Sequence, residues 1–267
     1  MAGLQGHPSF ELVQDDLATA DLDALLDGVD AVAHLAGQPG VRASWATGFA
    51  VYVERNVLAT QRLLEAARRA GTGRFVYASS SSVYGDAESF PTPEDVVPRP
   101  VSPYGVTKLA GEHLVSLYGT NFGLPTVSLR YFTVYGPRQR PDMATWRMVD
   151  AALHGTDFPR FGDGTAARSF TFVADVAAAN LAALDTDVTP GTVVNLSGTE
   201  TVDVNRLLEL VGDAAGAPVV VAQRDAEPGD ARRTGGDTSR AQALFGWTAS
   251  TPLAEGVAAQ VAWQRHH

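Results

Sequence analysis

The sequence contains no cysteine. Disulfide staples, a thiolate nucleophile and cysteine-ligated zinc are therefore excluded. Lysine is nearly missing as well: of the 20 Lys+Arg residues, Lys108 is the single lysine and the rest are arginines. Positive charge is scarce overall, since 30 Asp+Glu leave a formal net charge of -10. Such a balance argues against nucleic acid or an anionic membrane as partner, so an anionic ligand has to be held by local arginines. No apolar run reaches membrane-spanning length, and the opening MAGLQGHP lacks the basic-then-apolar layout of a signal peptide. A cytoplasmic location is the expectation. No glycine-rich phosphate loop precedes the first apolar run either. The closing QRHH reads as an ordinary tail, and no metal site is expected. What is present is a chain of 267 residues, 45% hydrophobic and 19% charged, long enough for one or two folded domains with a sizeable core.

Strand-like and helix-like stretches alternate through the first half. FELVQD (10–15), AVAHLA (31–36), RFVYAS (74–79) and PTVSLRY (125–131) are short apolar or β-branched runs. Continuous runs of this kind suit strands buried on both faces of a parallel sheet. Helices are expected at 56–71, where Leu63, Leu64 and Ala67 form a stripe that stops at Gly71, and at 104–119. This alternation predicts an α/β fold of right-handed βαβ units. Beyond Tyr131 the character changes. GPRQRPD (136–142) and FGDGT (161–165) read as turns, 175–184 as a helix, and 192–198 as a strand able to rejoin the main sheet. Helices near 203–214 and 238–245 suggest a smaller second lobe.

The chemistry concentrates in two segments. In SPYGVTK (102–108), Tyr104 and Lys108 are spaced i, i+4 and so project from one helix face. A nearby ammonium favours tyrosinate, so the lysine is expected to lower the phenol's pKa and fit Tyr104 for proton transfer. A surface tyrosine beside a solvated lysine is the plainer reading of a Y-x-x-x-K match. Against it, the motif uses the only lysine, and seven tyrosines in 267 positions would produce this spacing by chance about 3% of the time. In RFVYASSSSVYG (74–85), a strand runs into four serines at the carboxyl edge of the sheet, the edge where open α/β sheets bind ligands. A turn that caps its own backbone is the alternative use of such serines.

Taken with DDL (15–17), HLAGQPGVRASW (34–45), RNV (55–57), LRYFTVYGPRQRPDMA (129–144), GDGTAARSFTFVADV (162–176) and PGDARRT (228–234), these segments resemble the extended short-chain dehydrogenase/reductase family, specifically its nucleotide-sugar epimerases. The match runs nearly end to end. It implies a Rossmann-like, doubly wound parallel sheet from 1–133 and 172–198, with a smaller α/β substrate lobe from 134–171 and 199–267. By resemblance, Ser80 is the catalytic hydroxyl, Tyr104 the acid/base, and Lys108 the tyrosine activator and nicotinamide-ribose ligand. Asp16 and Leu17 fall beside the adenine of NAD. Leu35, Ala36 and Gly37 line its pyrophosphate and ribose side, and Asn56 and Phe132 complete the dinucleotide site. On the substrate side stand Ser82, Thr133 and Arg140. Arg168 and Asp230 would hold the nucleoside diphosphate, with Pro159 and Phe161 near the base. The helices matching 56–71 and 104–119 imply a homodimer.

The reaction implied is removal of the 4-hydroxyl proton by Tyr104 while NAD takes the C4 hydride. The flat 4-keto sugar then turns and is reduced on its other face. Dehydratases of the family carry Asp-Glu directly after the catalytic hydroxyl, and decarboxylases a glutamate at the second place; this chain has Ser81-Ser82. Thr133 and Arg140 resemble the uronic-acid 4-epimerase signature, a planar guanidinium being well shaped for the C6 carboxylate. Hexose epimerases more often carry asparagine in place of Thr133, and a diphosphate-binding arginine where Glu227 stands; Arg232 is a candidate substitute. UDP-glucuronate is therefore the expected substrate. UDP-glucose/galactose 4-epimerase, and a nucleotide-sugar-binding chain without turnover, are the alternatives. FELVQDDL resembles the third strand of the family's sheet. The first strand, its G-x-x-G-x-x-G turn, the first helix and the second strand, about 50 residues by the size of such a unit, are thus expected to be missing, leaving NAD over NADP to rest on resemblance.

Overall fold

A computed structural model describes residue 4, residues 6–225 and residues 231–267. The central sheet has four parallel strands in the order Ala31–His34, Arg74–Ser80, Thr126–Tyr131 and Thr192–Leu196. The last of these rejoins the sheet beside Thr126–Tyr131, as the sequence suggested. Arg74–Ser80 is buried along its whole length, which explains its unbroken apolar and small-residue run. Its side chains alternate between two cores. Phe75 and Tyr77 pack with Leu63, Leu64, Val115 and Tyr118 from the helices Ala59–Ala70 and Pro103–Phe122. Val76 faces the other way, toward Ala179, Ala183, Ala241 and Trp247, so the helices Val173–Asp185 and Ser239–Phe245 cover that face.

A third core gathers Tyr135, Met148, Phe158, Leu207, Val211 and Val257 between the helices Ala144–His154, Val204–Ala215 and Leu253–Gln264. Small sheets edge it. Asp157–Phe161 pairs in parallel with Val220–Arg224, and Ala167–Ser169 lies between Arg233–Thr234 and Thr201–Asp203. No helix among the described residues is long and apolar enough to cross a membrane.

Two sequence expectations need correction. Residues 10–16 form no strand and are mostly exposed. A strand exists only where a neighbour completes its ladder, and among the described residues Ala31–His34 pairs with Arg74–Ser80 alone. The helix expected at 56–71 begins earlier and irregularly. A π-helical turn, Val53–Leu58, leads into Ala59–Ala70, which ends on Gly71 in the left-handed region at φ 69°. A left-handed residue at that place suits glycine and closes the last turn.

Candidate active site

The helix Pro103–Phe122 starts where its sequence dictates. Ser102 caps it, its Oγ accepting from Gly105 N at 3.1 Å, and Pro103 occupies the first turn. Tyr104 thereby sits in the opening turn and Lys108 one turn later. Three consecutive residues at the end of Arg74–Ser80 face this helix. Lys108 Nζ donates to the Ala78 carbonyl at 2.7 Å, Ser79 Oγ donates to Glu112 at 2.7 Å, and the Ser80 hydroxyl lies near enough to the Tyr104 phenol to draw its pKa down. Ser80, Tyr104 and Lys108 are therefore brought to one place. Ser80 Oγ also accepts from Ser82 N at 3.1 Å, capping the turn Ser81–Val83, so the serine run both caps its own backbone and faces the tyrosine.

Electrostatics at this point departs from the expected pattern. Burial pushes the Tyr104 phenol above its ordinary value; the Ser80 hydroxyl and the Arg140 charge pull it back without overcoming that. The activating lysine is turned elsewhere: its ammonium meets the Ala78 carbonyl and lies 4.9 Å from the centre of the Tyr77 ring. Burial brings Lys108 itself down to about 8. His34, buried behind it and hydrogen-bonded to Thr60 Oγ1 at 2.9 Å, is driven to about 3 by burial and then by the Lys108 charge.

A cleft of about 170 Å³ opens here, lined by Leu35, Gly37, Gln38, Pro39, Ala78, Ser79, Tyr104, Lys108 and Tyr131. Asn56, on the π-helical turn, fixes its rim. Its Oδ1 accepts from Gln38 N at 2.6 Å, and its Nδ2 donates to Gln38 O and Thr107 Oγ1, both at 3.0 Å. A Cβ on Gly37 would lie 2.9 Å from Asn56 Oδ1 and 3.6 Å from Lys108 Nζ, so only glycine fits between them. Gln38, Pro39, Ser79 and Tyr131 were not singled out from sequence. Their signal is position alone, each lying at or just past a strand end. A larger hollow of about 330 Å³, lined by charged groups such as Asp21, Asp23, Arg62 and Arg69, touches none of the reactive residues.

Other expected site residues do not line this cleft themselves. Ala36 and Asp16 are exposed; Leu17 is half-buried, its carbonyl accepting from Arg62 Nε at 3.2 Å. Phe132 is buried against Val83 and Tyr84, a core position that places its ring away from the cleft lining. The Thr133 carbonyl accepts from Thr171 N at 2.9 Å. Pro159 and Phe161 sit on the paired strand Asp157–Phe161, with the Arg42 guanidinium 4.1 Å from the Phe161 ring centre. Arg168 donates to the Ala167 carbonyl at 2.8 Å, and the Arg232 amide donates to Asp86 at 2.8 Å. Asp230 and Glu227 lie outside the described residues. Arg140, in the GPRQRPD loop, grips Asp142 with two bonds of 3.0 and 2.8 Å, and its charge acts on both Tyr104 and Tyr52.

Comparison with known proteins places the chain in a family. Residues 4–197 match the family model described as the NAD dependent epimerase/dehydratase family. An uncharacterized UDP-glucose epimerase, YtcB of Bacillus subtilis (strain 168), is 41% identical over 254 residues, 95% of this chain and 80% of that protein. The crystal structure of UDP-glucuronic acid 4-epimerase from Bacillus cereus, in complex with UDP-glucuronic acid and NAD, superposes with a TM-score of 0.96. It is 39% identical, covering 99% of this chain and 84% of that one. MoeE5 in complex with UDP-glucuronic acid and NAD gives a TM-score of 0.92 at 43% identity, covering 95% of this chain and 85% of that one; it has also been solved with UDP-glucose and NAD. The Tyr-Lys helix, the serine turn and these matches agree, and the chain belongs to the NAD-dependent epimerase/dehydratase family of extended short-chain dehydrogenases/reductases.

Proposed function

We propose that the chain catalyses the NAD-dependent 4-epimerisation of UDP-glucuronate to UDP-galacturonate. The observation that carries this reading is the reach of Arg140. Its charge acts on the Tyr104 phenol, and its guanidinium already holds one carboxylate, that of Asp142, through two hydrogen bonds. In a glucuronate the reacting C4 and the carboxylate carbon C6 are separated only by C5. A substrate whose 4-hydroxyl meets Tyr104 therefore brings its carboxylate into the neighbourhood of Arg140, and a planar guanidinium takes such a group in bidentate fashion.

The cleft residues fit NAD. Lys108 gives one of its three hydrogens to Ala78 and leaves two for ribose hydroxyls. Gly37 offers bare backbone, and Asn56 holds the Gln38 turn in place. NAD, when bound, accepts and returns the C4 hydride. The chain's own groups do the rest: Tyr104 takes the 4-hydroxyl proton and later gives it back, while Ser80 orients the phenol and the sugar oxygen. Arg140 retains the carboxylate as the oxidised sugar turns. Elimination of water would call for carboxyl groups where Ser81 and Ser82 stand.

Epimerisation of UDP-glucose is the second reading, favoured by the description of the B. subtilis relative and by the MoeE5 complex with UDP-glucose. The two are separated by incubating the chain with each sugar nucleotide and resolving the 4-epimers. The expected result is a kcat/KM at least tenfold higher for UDP-glucuronate; the reverse order selects the hexose. Tyr104→Phe is expected to cost about a thousandfold or more in kcat, since it removes the proton acceptor. Turnover retained in that variant, or a chain that binds UDP-sugar but never NAD, overturns the assignment.

A further inference from the structure

The helix that presents Tyr104 and Lys108 presents a third side chain on the same stripe. Glu112 lies four residues beyond Lys108 and is 3% exposed. It meets Arg130, also 3% exposed, through Nε at 3.0 Å and Nη2 at 2.5 Å. Arg130 stands directly beside Ser79 in the parallel ladder, and Ser79 Oγ donates to the same Glu112 oxygen that Arg130 Nε does. The other side of the guanidinium reaches past Ser80. Arg130 Nη1 donates to the Tyr84 hydroxyl at 2.6 Å and to the Glu94 carbonyl at 3.2 Å, with the guanidinium 4.6 Å from the centre of the Tyr84 ring. Tyr84 in turn donates to Asn195 Oδ1 at 2.8 Å, on the next strand. It immediately follows the turn Ser81–Val83 that Ser80 caps.

One ion pair thus grips the chain on both sides of Ser80: at Ser79 before it and at Tyr84 after the turn. The same pair fixes the helix whose first turn carries Tyr104. We propose that Glu112 and Arg130 form a positioning pair that holds the Ser80 hydroxyl against the Tyr104 phenol. Stability alone does not account for them, because a buried ion pair replaced by apolar residues of similar volume commonly leaves a fold as stable or more so. What apolar residues cannot reproduce is the set of directed bonds to Ser79 and Tyr84. A displacement on the order of 1 Å in a reacting group can cost about a hundredfold in rate. Neither residue lines the cleft. The pair acts through Ser80 and Tyr104, and its kinetic consequences rest on the function proposed above.

The test uses the full chain with NAD, in the variants E112M/R130M, E112Q and S79A. For the double variant, the expected result is a cooperative fold with kcat on UDP-glucuronate reduced at least tenfold and KM changed less than threefold. S79A and E112Q, which each keep part of the network, are expected to lose about threefold to tenfold in kcat. A second readout needs no substrate. Tyrosinate absorbance is titrated in wild type and E112M/R130M, each against its own Tyr104→Phe control. Because the Ser80 hydroxyl draws the phenol down, letting it move away shifts the Tyr104 transition to higher pH. Unchanged kcat together with an unmoved Tyr104 titration in the folded double variant overturns the proposal, as does the same pair of results in E112Q should the double variant not fold. If wild type converts neither sugar, the functional reading falls, and the titration still decides the fate of the pair.

Discussion

Tyr104 and Lys108 sit where burial disfavours the charged form of each: the phenol is raised and the ammonium falls to about 8. A phenol that must give up its proton in such a place depends on nearby positive charge, and Arg140 supplies it. Arg140→Ala should therefore lower kcat/KM for UDP-glucuronate by about tenfold to a hundredfold, the loss of one charged hydrogen-bonded pair, and move the acidic limb, where Tyr104 loses its proton, upward in pH. UDP-glucose, with no carboxylate to lose, should share only the part of the loss that passes through Tyr104 and so lose several-fold less than UDP-glucuronate. Steady-state kinetics on both sugars check this, and equal losses would remove the carboxylate clamp. Tyr104 and Lys108 were legible in the sequence because their contact is local, four residues along one helix. Glu112 was not singled out, since a glutamate on a helix reads as solvated. Its burial comes from Arg130, a partner on another element eighteen positions along the chain.

At the level of the elements, the helix Pro103–Phe122 approaches the strand Arg74–Ser80 closely enough to need glycine at the contact. A Cβ on Gly111 would collide with the Tyr77 hydroxyl. On an open helix, Gly→Ala would add about 1 kcal/mol of stability; here overpacking should reverse the sign and cost roughly 1–3 kcal/mol. Gly111→Ala is expected to lower the Tm in a thermal scan, and a raised Tm would show that the helix has room to retreat. The first long helix was readable from its stripe and its Gly71 stop, and the second from its helical spacing, although it runs past Gly119 to Phe122. Leu253–Gln264 was missed because its run of Ala, Gly and Val gives no sharp polar face, and its partners lie on helices that begin about fifty and a hundred residues earlier in the chain. The strand expected at 10–15 failed for the opposite reason. Its residues have the right chemistry, but a ladder is a property of two segments, and no neighbour pairs with it among the described residues.

For the whole molecule, the buried His34 ties folding to acidity. Its pKa of about 3 lies below the ordinary 6.5, so between those values the unfolded chain binds a proton that the folded chain does not. This contribution is fully present above pH 6.5 and is lost as the pH falls toward 3. Its slope is about 1.4 kcal/mol per pH unit. His34→Gln should flatten the fall in unfolding free energy across that window when denaturant melts are repeated from pH 6.5 to 3. An unchanged slope would mean the ring is not held neutral.

Lys108 has one more consequence. As the chain's only lysine, it is also the only side-chain amine that an acylating or reductively methylating reagent can find. With a pKa near 8, a useful share of it is the free base in mildly alkaline buffer. The arginine-rich exterior is silent to such reagents. The yield of modified side chain is therefore a direct meter of how open the cleft around Lys108 is, with no lysine background from the rest of the surface.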